Sequence, residues 1–197
     1  AFFVLHGGVI DYRNNVSVAS VDQASRTLNL VHTVTGTSEG AVRGDVVNLI
    51  PRQRAGALIA ATGLANAQGN RFAGVNVLDY ASTVAGASKV HVIGDSSATT
   101  QPKAGHIANQ EAKVCADAII RAFAGGAPDP APVTTSACYS TITMTQASWL
   151  HGLFQYDAAT RTMVAVPAAL GASVGWNTEH FEDMNTWFQS VMSDTFA

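Results

Sequence analysis

The feature that most constrains the fold is an uninterrupted apolar run that is followed by a long helical pattern. Lys89-Val-His-Val-Ile-Gly-Asp95 ends in Gly-Asp, and this pattern is typical of a central strand that is covered on both faces of its sheet. A helix is predicted from about Gly105, and Gly125-Gly126 ends it. Its apolar residues recur at helical spacing: Ala108, Ala112, Cys115, Ile119 and Ala122. A strand followed by such a helix predicts an α/β chain.

The first 50 residues have the alternation of an antiparallel sheet. Val16–Asp22 and Arg26–His32 alternate with period two, and a polar turn beginning at Asp22 separates them. The run at 45–50 predicts a third strand. Pro51 ends it, because proline has no N–H with which to extend a ladder. The Ala- and Gly-rich residues 55–66 predict a short helix.

The residues after the long helix predict a second sheet and a final helix. Proline alternates with other residues from Pro128 to Pro132 and forms a stiff link, which marks a subdomain boundary. Strands are predicted near 136–146, 149–156 and 161–166, with a turn at Asp157-Ala-Ala-Thr160 between the last two. The final helix is predicted from Thr178, as its N-cap, to about residue 194.

Composition narrows the class of function. Only 13% of the 197 residues are charged, against about a quarter in an ordinary soluble domain, which fits a surface partly covered by other protein. The net charge of −3 provides no basic field, so nucleic acid is not an expected partner. No strongly apolar run of about 18 residues occurs, so no membrane span is predicted. The six histidines lack metal-ligand spacing, so no metal is assigned.

Three stretches of the sequence together resemble one family of flavoproteins. They are Gly44–Gly56, then His91–Asp95 with Gln101–Val114, and finally Cys138-Tyr-Ser140 with the closing Asp194-Thr-Phe196. In order and spacing they resemble the second half of the flavin subunit of flavocytochrome c sulfide dehydrogenase, a relative of the pyridine nucleotide–disulfide oxidoreductases. The resemblance covers nearly the whole chain. Cys-Tyr-Ser and the Asp-Thr-Phe tail make it much more specific than the Gly-Asp run alone.

The resemblance implies the C-terminal part of a two-dinucleotide-domain flavoprotein, α/β as a whole and α+β when this part stands alone. Residues 1–50 would end the second nucleotide-like domain, 51–128 would complete the FAD-binding domain, and 129–197 would form a C-terminal α/β interface domain. Such proteins hold the FAD pyrophosphate on a Gly-x-Gly-x-x-Gly turn, and that fingerprint does not occur in this sequence. FAD would therefore be the cofactor of the full-length parent and is not expected to be retained by this chain alone.

The resemblance also implies flavin-contacting residues at the Gly-Asp turn and at the start of the long helix. Asp95 would hold a ribityl hydroxyl of FAD and Gly94 would belong to the same cofactor site. Lys103, Gly105 and His106 would lie at the pyrimidine end of the flavin. A helix N-terminus has unpaired N–H groups and a partial positive charge, which stabilise negative charge. Without the resemblance, Asp95 would be interpreted as a turn or N-cap aspartate, and Lys103 would fit a solvated loop lysine equally well. The family usually has Lys-Ser-Gly-Tyr where this chain has Lys103-Ala-Gly-His106.

Cys138 is the predicted catalytic residue. By resemblance, it would form a redox disulfide over the flavin with a cysteine that lies outside this sequence. A hydrosulfide ion can attack such a disulfide by thiol–disulfide exchange, which leaves one sulfur as a persulfide. Taken by itself, a single cysteine in a strand is more often a small buried apolar residue. Cys115 falls on the apolar face of its helix, where a core role is expected, and counting alone does not decide whether the two cysteines pair.

The implied function is that of an FAD-dependent oxidoreductase which oxidises sulfide and passes electrons to a c-type cytochrome subunit. The resemblance further implies a periplasmic location and a possible homodimer through the C-terminal domain, and the chain by itself is expected to be inactive. Two alternatives remain open. One is a fragment of a pyridine-nucleotide-dependent disulfide or quinone reductase, which needs no Cys138, and the other is a non-catalytic interaction domain.

Overall fold

The computed structural model describes residues 8–196 and contains both helices and sheets, which confirms the mixed α and β class. The described residues divide into two compact units, 8–52 and 53–196. All the pairs of named strands in these residues are antiparallel. The domain roles predicted for 1–50, 51–128 and 129–197 stay predictions.

The unit of residues 8–52 is a three-stranded meander of β1 (Val16–Asp22), β2 (Thr27–His32) and β3 (Ser38–Arg43) in that order. The first two strands are confirmed. Their turn forms because the Asp22 carboxylate accepts hydrogen bonds from the N–H of Ala24, at 3.0 Å, and from the Ser25 hydroxyl, at 2.7 Å.

The third strand predicted at 45–50 is wrong. Its place beside β2 is taken by β3, whose residue Val42 pairs with Leu28. A tight turn in which the Gly36 N–H donates to the His32 carbonyl oxygen connects β2 to β3, and a short loop costs less closure entropy than the longer one to residue 45. Two apolar side chains after β3 are largely exposed, Val46 at 89% and Ile50 at 74%.

The unit of residues 53–196 begins with short elements. They are α1 (Ala57–Ala61), the two-stranded pair of β4 (Ala65–Ala67) with β5 (Phe72–Ala73), and a 3₁₀ turn at Gly94–Ser96. The helix predicted in 55–66 is thus present but covers only α1. A small cluster of Leu64, Ala73 and Val92 packs beneath these elements.

The central strand predicted at Lys89–Asp95 is wrong. Only one isolated antiparallel bridge, between His91 and Ala81, forms along it, and no named strand pairs with it in residues 8–196. Val92 is buried, whereas Val90 and Ile93 are 42% and 38% exposed. Its backbone pairs locally with residues 80–82, because the Ser82 N–H donates to the Val90 carbonyl oxygen at 2.8 Å and the Val92 N–H donates to the Tyr80 carbonyl oxygen at 2.9 Å. This short pairing does not extend into a ladder, so the apolar run forms no strand of a central sheet.

The long helix α2 (Gly105–Phe123) is confirmed, but the predicted stripe of buried residues is shifted around it. The buried residues are Ile107, Glu111, Cys115 and Ala118. Of the predicted stripe, only Cys115 lies in this set. The stripe was misplaced because it was read from apolar residues alone, and one position of the buried face is a glutamate.

The remainder of this unit is a sheet with a helix packed on it. It comprises β6 (Val133–Thr143), β7 (Gln146–Asp157), β8 (Thr162–Ala165), a 3₁₀ turn at Pro167–Ala169, β9 (Gly171–Ala172) and α3 (Thr178–Phe196). The three predicted strands and the final helix are confirmed. The cap of α3 is one residue earlier than predicted, because the Asn177 side chain accepts the His180 N–H at 2.8 Å.

The sheet and the long helix share a small core. Phe154 from β7 and Met163 from β8 cluster with Ile107 from α2 and with Val77. α2 lies along the edge strand β6, and α3 packs against β7. Within residues 8–196, no helix is both long enough and apolar enough to cross a bilayer.

Candidate functional site

The backbone of the Gly-Asp turn lies close to α2 and is hydrogen-bonded to a side chain of that helix. The N–H of Gly94 donates to Oε2 of Glu111 at 2.5 Å. Gly94 has φ +65°, a left-handed conformation that L side chains rarely adopt, and a Cβ placed there would lie 3.1 Å from the Cβ of Ala108. Only glycine meets both conditions without strain, so the turn before Asp95 requires it.

Glu111 is the organising residue of this turn, and the sequence prediction did not identify it. It is 1% exposed, and its other oxygen accepts the hydroxyl of Thr99 at 3.3 Å. Burial raises the pKa of this carboxyl, and the hydrogen bond from Gly94 opposes the increase. A glutamate spaced four residues from Ile107 and from Cys115 was the available signal, because that spacing places it on one helix face with them.

Lys103 also holds this turn, through hydrogen bonds to its backbone. Its ammonium donates to the carbonyl oxygens of Asp95 at 2.9 Å and Ser97 at 2.7 Å. The same nitrogen lies 4.2 Å from the centroid of the Phe72 ring, within the range of a cation–π contact. Burial lowers the pKa of Lys103, and the charges of Asp95 and Glu111 oppose this shift. The structure therefore uses this ammonium to fix the turn, and its predicted contact with a flavin stays a prediction.

Asp95 presents its side chain to the surface. The residue is exposed within the 3₁₀ turn, and in residues 8–196 no hydrogen bond reaches its carboxylate, because the contact from Lys103 is made to its backbone. A fixed backbone with a free carboxylate is suited to accepting hydrogen bonds from a polyol or sugar chain.

The start of α2 leaves its first N–H groups without a side-chain cap. Ala104 is the N-cap residue and has an extended backbone that provides no capping oxygen. Gly105 is exposed, and nothing lies within 4 Å of a Cβ placed there. The unpaired N–H groups and the helix dipole favour negative charge at this end.

His106 connects the first turn of α2 to the edge strand. Its Nδ1 accepts the N–H of Ala137 at 2.9 Å, and its ring meets the Trp187 ring of α3 edge to face at 5.7 Å. Burial lowers the pKa of this imidazole and the charge of Lys113 adds to the effect, whereas Asp194 opposes it. The ring is thus favoured in its neutral form.

Cys138 follows Ala137 directly and is exposed, whereas Cys115 is buried. Both thiols are free, so the two cysteines do not pair with each other. Burial raises the pKa of Cys115, which suppresses its thiolate. The neighbour of the Cys138 sulfur is the Ser136 hydroxyl, at 4.0 Å. Of the two thiols, only the one at Cys138 is exposed, and the residue before it is bonded to the first turn of α2.

The structure thus joins two groups of the predicted residues to α2. The turn that carries Gly94 and Asp95 is tied to Lys103 and to the body of the helix, and Cys138 is tied to its first turn through Ala137. Among the residues that the structure describes, no group of three or more His, Cys, Asp or Glu is placed to hold a metal ion.

A comparison with protein families matches the C-terminal part of the chain. Residues 130–196 match the family model described as "Flavocytochrome c sulphide dehydrogenase, flavin-binding". This match confirms the resemblance over the segment that contains Cys138, and it supports a flavoprotein oxidoreductase family for that segment.

One solved structure shares the fold at low sequence identity. It is a chain of the cryo-EM structure of the Tetrahymena thermophila mitochondrial ATP synthase, F1Fo composite tetramer, with a TM-score of 0.51 and 17% identity. The match covers 74% of this chain and 34% of that one, so this chain spans about a third of its length. At this identity the similarity concerns the fold alone.

Proposed function

We propose that this chain is the C-terminal part of an FAD-dependent oxidoreductase that oxidises sulfide through a redox cysteine pair. The observation that carries the proposal is the position of Cys138. It lies within the segment that matches a sulfide dehydrogenase flavin-binding family, its thiol is exposed, and its strand is bonded to the first turn of α2.

The residues present fit one part of FAD. The exposed carboxylate of Asp95 suits a ribityl hydroxyl, and the uncapped start of α2 suits the pyrimidine end of a flavin that carries negative charge. When bound, FAD supplies a two-electron acceptor. The pyrophosphate has no Gly-x-Gly-x-x-Gly turn in this sequence, so we propose that the parent binds FAD with residues that this chain does not contain.

The proposed chemistry at Cys138 is thiol–disulfide exchange. In the oxidised parent, the sulfur of Cys138 is bonded to a second cysteine. A hydrosulfide ion attacks one of these sulfurs, so that one S–S bond breaks, a new one forms as a persulfide, and the other cysteine leaves as a thiolate with the electron pair. The hydrosulfide sulfur is oxidised, and the thiolate is the reduced group that must pass its electrons on.

The remaining parts of the proposal concern the parent. A c-type cytochrome subunit would receive the electrons in the periplasm, and the α/β part from residue 129 onward would mediate contacts between subunits. Exposed apolar side chains on α3, with Phe188 at 55% and Phe196 at 75%, support a role of this helix in subunit contacts.

The decisive variant is Cys138→Ser in the full-length protein. Serine is nearly isosteric but forms neither a disulfide nor a persulfide, so sulfide should no longer reduce the flavin, whereas dithionite still should. Cys115→Ser is the matched control and should retain sulfide-dependent reduction. Rapid-mixing absorbance measures both. A wild-type rate of flavin reduction by sulfide in Cys138→Ser would overturn the proposal and favour a reductase or an interaction domain.

A further inference from the structure

His106 makes a contact that neither the flavin contacts nor the cysteine chemistry requires. Its side chain comes from the first turn of α2, and it accepts the N–H of Ala137, the residue directly before Cys138. β6 is the edge strand of its sheet. This N–H points to the helix. Without His106 it would be an unpaired donor on the open edge of the sheet.

Two other contacts join the same edge to residues of or near the helix, and both lie further from the cysteine. The Gln101 amide donates to the Thr134 hydroxyl at 2.5 Å, and the Thr135 hydroxyl donates to Gln110 at 3.5 Å. Of these three contacts, the one made by His106 is nearest to Cys138 in the sequence. It holds the strand backbone rather than a side chain.

The contact requires a neutral imidazole. A backbone N–H can only donate, so Nδ1 must carry a lone pair and the ring proton must be on Nε2. An imidazolium would place one N–H against another. The charged groups that act on the ring are Lys113 of α2 and Asp194 of α3, which pair with each other at 2.6 Å. The Trp187 ring of α3 meets the imidazole at 5.7 Å and also lies 5.4 Å from the Tyr139 ring of β6.

We propose that His106 is a positioning residue, which in its neutral form fixes the Cys138 segment of β6 against the start of α2 and on protonation releases it. The importance of Cys138 rests on the proposed function, but the contact itself does not. The site would then hold its thiol in place at neutral pH and loosen it in acid. Burial keeps the pKa of His106 below its ordinary value of 6.5, so the release belongs to the acidic side of that value.

Amide hydrogen exchange at Ala137, measured by NMR between pH 5 and pH 8, tests this proposal. Exchange is expressed as a protection factor, which removes the intrinsic pH dependence of the chemistry. In the wild type, protection should fall about three- to tenfold in acid, which corresponds to the usual net contribution of one hydrogen bond. His106→Asn places an amide oxygen near the Nδ1 position and should keep protection at every pH. His106→Phe should lack it throughout.

The amide of Tyr156 is the internal control, since it donates to the Pro132 carbonyl oxygen at the other end of the same strand pair. Its protection should not change with pH. Protection at Ala137 that does not vary with pH in the wild type would overturn the proposal, as would an acid-induced loss in His106→Asn that equals the wild-type loss. A parallel loss at Tyr156 would also overturn it, because the whole sheet would then open. None of these measurements involves flavin or sulfide, so their outcome is independent of the redox proposal.

Discussion

Substitutions of Glu111 can separate the contribution of its hydrogen bonds to stability from the contribution of its charge. Glu111→Gln and Glu111→Leu both remove the carboxylate, but only glutamine keeps an acceptor for the N–H of Gly94, which is 2.5 Å away in the wild type. Leucine leaves that half-buried donor without a partner, which costs about 1 kcal/mol, the lower end of the range for an unpaired donor. Ser97 loses less, because its hydroxyl also donates to the Gly94 carbonyl oxygen at 2.8 Å. We expect the leucine variant to be less stable than the glutamine variant by that amount.

The charge is tested by the pH dependence of the wild type against Glu111→Gln. Burial raises the pKa of Glu111 in the folded state above its ordinary value of 4.5. The folded state therefore binds the proton more tightly than the unfolded state, and the stability gained in this way is present below 4.5 and lost as pH rises through the raised pKa. The wild type should lose stability relative to the glutamine variant between acidic and neutral pH, and should be the less stable of the two at pH 8.

Denaturant unfolding followed by tryptophan fluorescence is the appropriate assay. The chain has three tryptophans, Trp149, Trp176 and Trp187, and all of them lie in the unit of residues 53–196 that contains Glu111. Equal stabilities for the leucine and glutamine variants would show that the Gly94 hydrogen bond does not hold the turn. A wild-type stability that runs parallel to that of the glutamine variant at all pH values would refute the burial argument.

Three further predictions concern the glycines, the thiols and the cofactor. Gly94→Ala should destabilise this unit by about 1–2 kcal/mol, because its left-handed backbone disfavours a Cβ; Gly105→Ala, with open space at Cβ, should cost nothing in the same unfolding assay. Brief thiol labelling read by peptide mass spectrometry should modify exposed Cys138 before buried Cys115, and the reverse order would contradict the site. Titration with FAD, followed by flavin fluorescence, should show no tight binding to this chain, since it lacks the pyrophosphate turn; stoichiometric binding would contradict that account.

The elements that were predictable from the sequence are those held by local interactions. β7 and β8 were predicted on either side of a turn at Asp157, and the turn forms because the Asp157 carboxylate accepts the Ala159 N–H and the Thr160 hydroxyl. α2 follows from helical spacing, and so does α3, in which the large apolar residues Phe181, Met184 and Phe188 recur at that spacing. In each case the information lies within a few residues of the element itself.

The elements that were missed depend on partners distant in sequence. The run at Lys89–Asp95 has strand composition, but a strand also needs neighbours, and composition does not reveal whether they are present. Residues 45–50 are apolar enough for a strand, yet the less apolar Ser38–Arg43 reaches β2 through a shorter loop. In both cases the tertiary arrangement outweighs local propensity.

The sequence predicted which residues belong to the candidate site, and that membership stays a prediction; it did not predict the contacts that hold these residues. Motif resemblance predicted Asp95, Lys103 and Cys138; the structure bonds Lys103 to the backbone of Asp95 and bonds the residue before Cys138 to the first turn of α2. The contacts that hold them could not be predicted, because glutamate is usually a surface residue and the sequence does not show the donors that surround Glu111. The same holds for the role of His106 as acceptor for a strand N–H.

The most direct measurement of the central claim is the chemical state of Cys138 during turnover. The full-length flavoprotein would be mixed with sulfide under anaerobic conditions, quenched by alkylation and digested for mass spectrometry. The account predicts that Cys138 is in a disulfide with a second cysteine before sulfide is added. It further predicts that one cysteine of the pair carries an additional sulfur atom afterwards, while Cys115 stays a free thiol throughout. A Cys138 that remains an unmodified thiol before and after sulfide reduces the flavin would contradict the account.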